Sequence, residues 1–139
     1  MDEWEHDVHV CRKVYKEIQN QGYKIDYSLT DNGKPMTQFF TKTVSFPPPM
    51  WQANSAVHEL AHILTWPIRK DQEALFEAMA FYVQEIVRRR LSLTAGEDMQ
   101  FWGNLWLEHG KITPKKFLKD KGNEIIKVAT KIITVCEDE

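Results

Sequence analysis

His58, Glu59 and His62 fall in the run H-E-L-A-H, inside an apolar stretch from Trp51 to Trp66 that follows the prolines Pro47 to Pro49. At 3.6 residues per turn, an α-helix through this stretch sets the two imidazoles one turn apart on one face. There both can grip a single cation while Glu59 projects beside it. The chemistry that calls for this set is metal-assisted hydrolysis. Zn²⁺ accepts neutral imidazole nitrogen, a third protein ligand completes a catalytic site, and the remaining position holds a water whose pKa drops toward about 7. Glu59 is then the general base that takes the water's proton and delivers it to a leaving amine. The pattern predicts Zn²⁺ as the cofactor, although Mn²⁺, Co²⁺ or Ni²⁺ suit the same ligands.

A third ligand has to come from elsewhere in the chain. Proline disfavours a helical residue before it, so the first helix should end near Trp66-Pro67, and a second should begin at Asp71, a good N-cap residue, and run to about Arg90. This second helix places Glu73 and Glu77 one turn apart on one face. Phe76, Ala80 and Phe81 lie around them, and Leu75, Ala78, Met79 and Tyr82 lie opposite. A helix apolar on all sides is buried, and buried carboxylates are costly unless a cation or a donor meets them. The ion held by His58 and His62 would meet that need. Glu73 also fits a simpler role, as a solvated carboxylate complementing the dipole at a helix start.

The remaining elements form a scaffold. Trp4, Val8, Cys11, Tyr15 and Ile18 mark an amphipathic first helix that stops near Gly22. Tyr23, Ile25, Tyr27 and Leu29 alternate with polar residues as in a half-buried strand. Asp31-Asn32-Gly33 reads as a turn, and Met36 to Phe46 as one or two further strands. The expectation is an α+β domain with a small antiparallel sheet packed on the histidine helix, whose edge could accept an extended substrate as one more strand. The three prolines read as a stiff connector. Helices are expected again from Glu97 to Glu108, packing through Met99, Trp102, Leu105 and Trp106, and from Asn123 to Cys136, with Ile125, Ala129 and Ile132 on one face. Arg88-Arg89-Arg90 suits the negative end of its helix dipole.

With 139 residues, 42% of them hydrophobic, the chain is expected to form a single domain over residues 1–139. A net charge of −2 gives no global field for nucleic acid or for a membrane surface. No run of apolar residues is long enough to span a bilayer, and the acidic N-terminus does not resemble a signal sequence, so a cytoplasmic location is expected. Cys11 and Cys136 read as reduced, buried thiols. His6 and His9 read as ordinary boundary residues. His109, at a helix end, complements the dipole or serves as a further metal ligand or oxyanion donor. Tyr82, Tyr23 and Tyr27 are the candidate O–H donors to a transition state.

Two resemblances sharpen these expectations. The spacing E-x-x-x-E after H-E-x-x-H resembles the glutamate helix of gluzincins, which implies Glu73 as the metal ligand and Glu77 as the residue that orients His58 from behind, with Glu77 as the alternative metal ligand. In order, T-V-S-F-P-P-P, H-E-L-A-H-I-L-T with Arg69 soon after, E-A-L-F-E-A and F-W-G-N-L-W-L are similar to the zincin-type metallopeptidase domain of ArdC-like antirestriction proteins, which plasmids and phages carry. The similarity runs from about Thr41 to the C-terminus, and only the metal motif in it is highly specific. The chain lacks the N-terminal single-stranded-DNA-binding domain of the long members, and its segment from His62 to Glu73 looks shortened. ImmA-like regulatory peptidases, which cleave a phage-type repressor, share the helix pair and a similarly short gap. The resemblance implies a zinc endopeptidase acting on a protein partner, with His58, His62 and Glu73 as ligands and Glu59 as the base. The competing expectations are a non-catalytic zinc module that blocks a host nuclease or protects DNA, and a helical interaction protein without metal.

Overall fold

The computed structural model describes residues 3–27, 34–46, 52–65, 72–93 and 99–137. Among them the order of elements is α1 (Glu3–Asn20), β1 (Lys24–Asp26), β2 (Met36–Gln38), β3 (Thr43–Ser45), α2 (Ala53–Thr65), α3 (Glu73–Leu91), α4 (Met99–His109) and α5 (Pro114–Glu137). The expected turn at Asp31-Asn32-Gly33, the three prolines, the Trp66-Pro67 stop and the Asp71 cap lie outside the described residues. The class is α+β, mostly helical, as anticipated.

The expected spacing on α1 holds, with Val8, Cys11, Tyr15 and Ile18 buried. The helix closes where Gly22 adopts φ +91, a conformation open to glycine, and the Tyr23 amide donates to Ile18 O at 3.2 Å. The chain thereby turns straight into β1. Both cysteines are free and buried, and burial pushes the thiol of Cys11 up to about 11 and that of Cys136 to about 12.

The sheet departs from the antiparallel expectation. Its order is β1-β3-β2, with β3 antiparallel to β2 but parallel to β1. The cause lies in the side chains of β3. Val44 is fully buried and Ser45 nearly so, whereas β1 and β2 each expose their first and last residues. The strand with the most surface to hide takes the middle, and β1, which precedes β2 in the chain, is left to pair on its far side.

α2 packs between α1 and α3, burying Ala56, Val57, Leu60 and Ala61 in the common core. Two glycines set how α4 approaches α3. A Cβ on Gly103 would lie 2.8 Å from the Tyr82 ring, and one on Gly110 would lie 2.7 Å from Ala74 Cβ. α4 therefore turns Met99, Gly103 and Leu107 inward and leaves Trp102 and Leu105 partly exposed, which corrects the expected packing face.

Arg88 and Arg89 do more than complement a dipole. Both donate to the buried carboxylate of Glu85, which also accepts the Met99 amide at 3.1 Å and so caps α4 from α3. Burial opposes the charge on Glu85, but the two arginines and the amide outweigh it and hold its carboxyl below the usual range. Glu85→Ala strands a buried amide and two partly solvated cations, and about 2–3 kcal/mol of stability, or roughly 10 °C in melting temperature at pH 7, is expected to go with it. A lowered carboxylate pKa contributes above the unfolded value and is lost on acidification. The gap between the variant and the wild type should therefore narrow below about pH 4 in thermal melts.

α5 is longer than expected, beginning at Pro114 rather than near Asn123. Thr113 precedes Pro114, and its hydroxyl accepts the Lys116 amide at 3.2 Å, so the helix starts on a cap followed by proline at its first position. Among the described residues, no helix is long and apolar enough to cross a membrane.

Candidate metal centre

The H-E-x-x-H residues occupy the middle of α2, and both imidazoles meet one carboxylate of α3. Glu77 Oε1 lies 2.9 Å from His62 Nε2, and Glu77 Oε2 lies 3.3 Å from His58 Nε2. One ligand atom from each of the three residues falls within 4.8 Å of the others. Tetrahedral zinc with bonds near 2.0–2.1 Å needs ligand atoms about 3.3 Å apart, and the two Glu77–histidine separations, 2.9 and 3.3 Å, are close to that value.

The carboxylate brought to the histidines is thus Glu77, where the gluzincin resemblance implied Glu73. Glu73 is the first residue of α3 and is exposed, one turn below the cluster. It lines an open cavity of about 450 Å³ with His109 and Gly110 at the end of α4. The contact between Gly110 and Ala74 holds this corner of α3 against α4, so Glu73 faces the α4 terminus. His109 is likewise exposed and outside the trio.

The partner that orients His58 is Gln84, which the sequence reading missed. Its Oε1 accepts from His58 Nδ1 at 2.8 Å, which places the proton there and leaves Nε2 as the nitrogen that faces Glu77 and is open to a cation once deprotonated. A signal for Gln84 existed, since it follows Glu77 by two helical turns on the face that also carries Phe81. Phe81 packs on the His58 ring at 4.5 Å between centroids and Phe76 on the His62 ring at 4.3 Å, and the two imidazoles meet edge to face at 4.6 Å. The metal-binding faces therefore sit in an apolar sleeve. His62 Nδ1 is buried without a partner among the described residues.

Glu59 is 5% exposed, and its Oε1 accepts a hydrogen bond from Thr37 Oγ1 at 2.7 Å, on the edge strand β2. Thr37 lies 22 residues upstream, and nothing local in the sequence marks it. The tyrosines do not join the site. Tyr82 is buried between helices, donating to Asn104 Oδ1 and packing on Phe117. Tyr23 packs edge-on against Phe39, and Tyr27 against Tyr15. His6 Nε2 donates to Leu91 O at 2.6 Å, tying α1 to the end of α3, and among the described residues neither His6 nor His9 belongs to a group of three or more potential metal ligands.

In protein stripped of metal, the trio behaves as an ion pair with a second imidazole. Burial penalises charge on both partners, yet His58 is raised above its ordinary value by Glu77 and Glu59, and Glu77 is held far below the usual carboxylate range by the two histidines. The sign follows from linkage. The raised His58 contributes fully below its unfolded value near 6.5, and that contribution fades as pH rises through the folded value; the lowered Glu77 contributes above about 4.5 and fades on acidification. The metal-free protein is therefore expected to melt highest between about pH 4.5 and 6.5 and to lose stability toward pH 9. Scanning calorimetry in chelator checks this, and a melting temperature that climbs from pH 6.5 to 9 would contradict it.

The fold and site together define a mostly helical α+β structure in which two histidines and one glutamate lie close enough to hold a cation, with a further buried glutamate next to the first histidine in sequence. No protein-family model, curated protein or solved structure matches the chain.

Proposed function

We propose that this chain is a zinc-dependent metallopeptidase. One observation carries the reading: ligand atoms of His58, His62 and Glu77 lie within 4.8 Å of one another, and Glu59, adjacent in sequence to the first ligand, is buried and near enough to His58 to favour its charged form. The sequence resemblance to ArdC-like and ImmA-like peptidases, whose specific part is this same H-E-x-x-H motif, suggests a protein substrate, in a phage or plasmid setting a host defence or regulatory protein.

Bound there, zinc would supply Lewis acidity toward a carbonyl and lower the pKa of a water. The chain's own residues do the rest. His58 Nε2, His62 Nε2 and a Glu77 oxygen would hold the ion, Gln84 would keep His58 in the tautomer that can bind, and Phe76 and Phe81 shield the histidine rings. Glu59 accepts a proton on one carboxylate oxygen and returns it to the departing amine, while Thr37 fixes its orientation from β2.

Elemental analysis of protein purified without chelator, paired with cleavage of a mixed library of quenched fluorescent peptides, tests the reading. About one zinc per chain and a cleavage rate abolished by chelator and restored by zinc are expected. No metal and unchanged stability in chelator would sink it.

A further inference from the structure

The first half of α5 meets the core through one side chain, since between Pro114 and Asn123 only Phe117 is fully buried. Its other side chains point to a second role. Residues 111–131 hold seven lysines against Asp120 and Glu124, a net +5 in a chain whose total is −2, which leaves the rest at −7. Lys115, Lys116, Lys119, Lys127 and Lys131 fall on the outward half of α5 along about 24 Å of helix, all of them exposed. Among the described residues, none of the seven lysines lies within 4.0 Å of an acidic group. Ile126 sits among the outward lysines at 59% exposed, and Leu118 flanks them at 45%. At the foot of the helix, Lys111, Lys116 and Lys121 outnumber Asp120 around a cavity of about 290 Å³ that Thr113 and Phe117 also line.

We propose that this outward face of α5 is a docking surface for an acidic segment of a protein partner. Unpaired lysines in a row repel one another, and that repulsion is relieved only when anions arrive. The apolar content selects among anions. Nucleic-acid bases stack on aromatic rings and arginine planes, and this face offers neither, whereas Ile126 and Leu118 match aliphatic side chains interspersed in an acidic peptide. Two aliphatic residues without an aromatic anchor are a small hold on a bilayer. A second copy meeting α5 through a two-fold axis would oppose lysines to lysines. This surface is separate from the metal trio, and its role does not depend on peptidase activity.

The test is fluorescence anisotropy with a fluorescein-labelled peptide of repeating Glu-Leu-Glu-Glu, using full-length Glu59→Gln protein so that nothing is cleaved. Saturable binding that weakens as salt is raised from 50 to 300 mM is expected, with at least tenfold loss in the double variant Lys119→Glu, Lys127→Glu. Both side chains are exposed, so zinc content and melting temperature should be unchanged and serve as the folding control. A Lys-Leu-Lys-Lys counterpart should not bind. Equal binding by the double variant or by the basic peptide would overturn the proposal. So would oligodeoxythymidylate or phosphatidylserine vesicles binding where the acidic peptide does not, or a concentration-dependent dimer lost in the same variant. Loss of zinc or of cleavage elsewhere leaves this binding untouched, so the two readings fail separately.

Discussion

Glu59→Gln is expected to keep about one zinc per chain and the wild-type melting temperature while peptide hydrolysis falls by about 10²–10⁴-fold, the usual contribution of a positioned general base. The reasoning is local. Glu59 is not among the three residues that converge, so its charge is not needed to hold the ion. Its Oε1 accepts from Thr37, and the amide oxygen of glutamine can accept the same bond, so the side chain stays in place. What the amide cannot do is take a proton at neutral pH. Turnover per zinc, measured on the best substrate from a peptide library, separates this outcome from a loss of metal. A variant that cleaves at the wild-type rate would remove Glu59 from the chemistry. A wild type that holds zinc but cleaves nothing, with its biological effect intact in Glu59→Gln, would favour a zinc-stabilised binding module.

How much of this was legible in the sequence depended on whether the determining contacts were local. The two histidines and Glu59 are set by one helix, and helical periodicity alone puts them on their faces. α1 and the start of β1 were readable for the same reason, as one amphipathic repeat ending at a glycine. The parallel pairing of β1 with β3 was not readable, because it follows from which strand is most buried once the helices have packed. The early start of α5 escaped notice because its first turns carry lysines instead of an apolar stripe, although Thr113-Pro114 is a recognisable start signal. Thr37 reaches Glu59 only through the sheet, and no pattern within β2 announces it.

The choice between the two glutamates shows the same limit most sharply. Spacing alone places Glu73 and Glu77 on one face, about 6 Å apart along α3. Which of them is level with His58 and His62 depends on how far α3 slides along α2, and that is set by how the two helices pack rather than by spacing within α3. Removing Glu77 should therefore cost the site its ion. Glu77→Ala is expected to lower zinc affinity by more than about 100-fold, beyond the 10–100-fold typical of a residue that only supports a ligand, and to leave two buried histidines facing an apolar gap. Glu73→Ala is expected to keep zinc affinity within about twofold, since its carboxylate is solvated beside His109. Competition for zinc against a chromophoric chelator, run on both variants and the wild type, gives the answer directly. If Glu73→Ala lost the metal and Glu77→Ala retained it, α3 would have to sit one turn lower on α2 than it does here, and the gluzincin order of ligand and supporting residue would be restored. If instead the loss followed Glu77, the short segment between the helices gains a physical meaning: with ten residues between His62 and Glu73, α3 begins too close to α2 for its first turn to reach the ion, and the ligand moves one turn on.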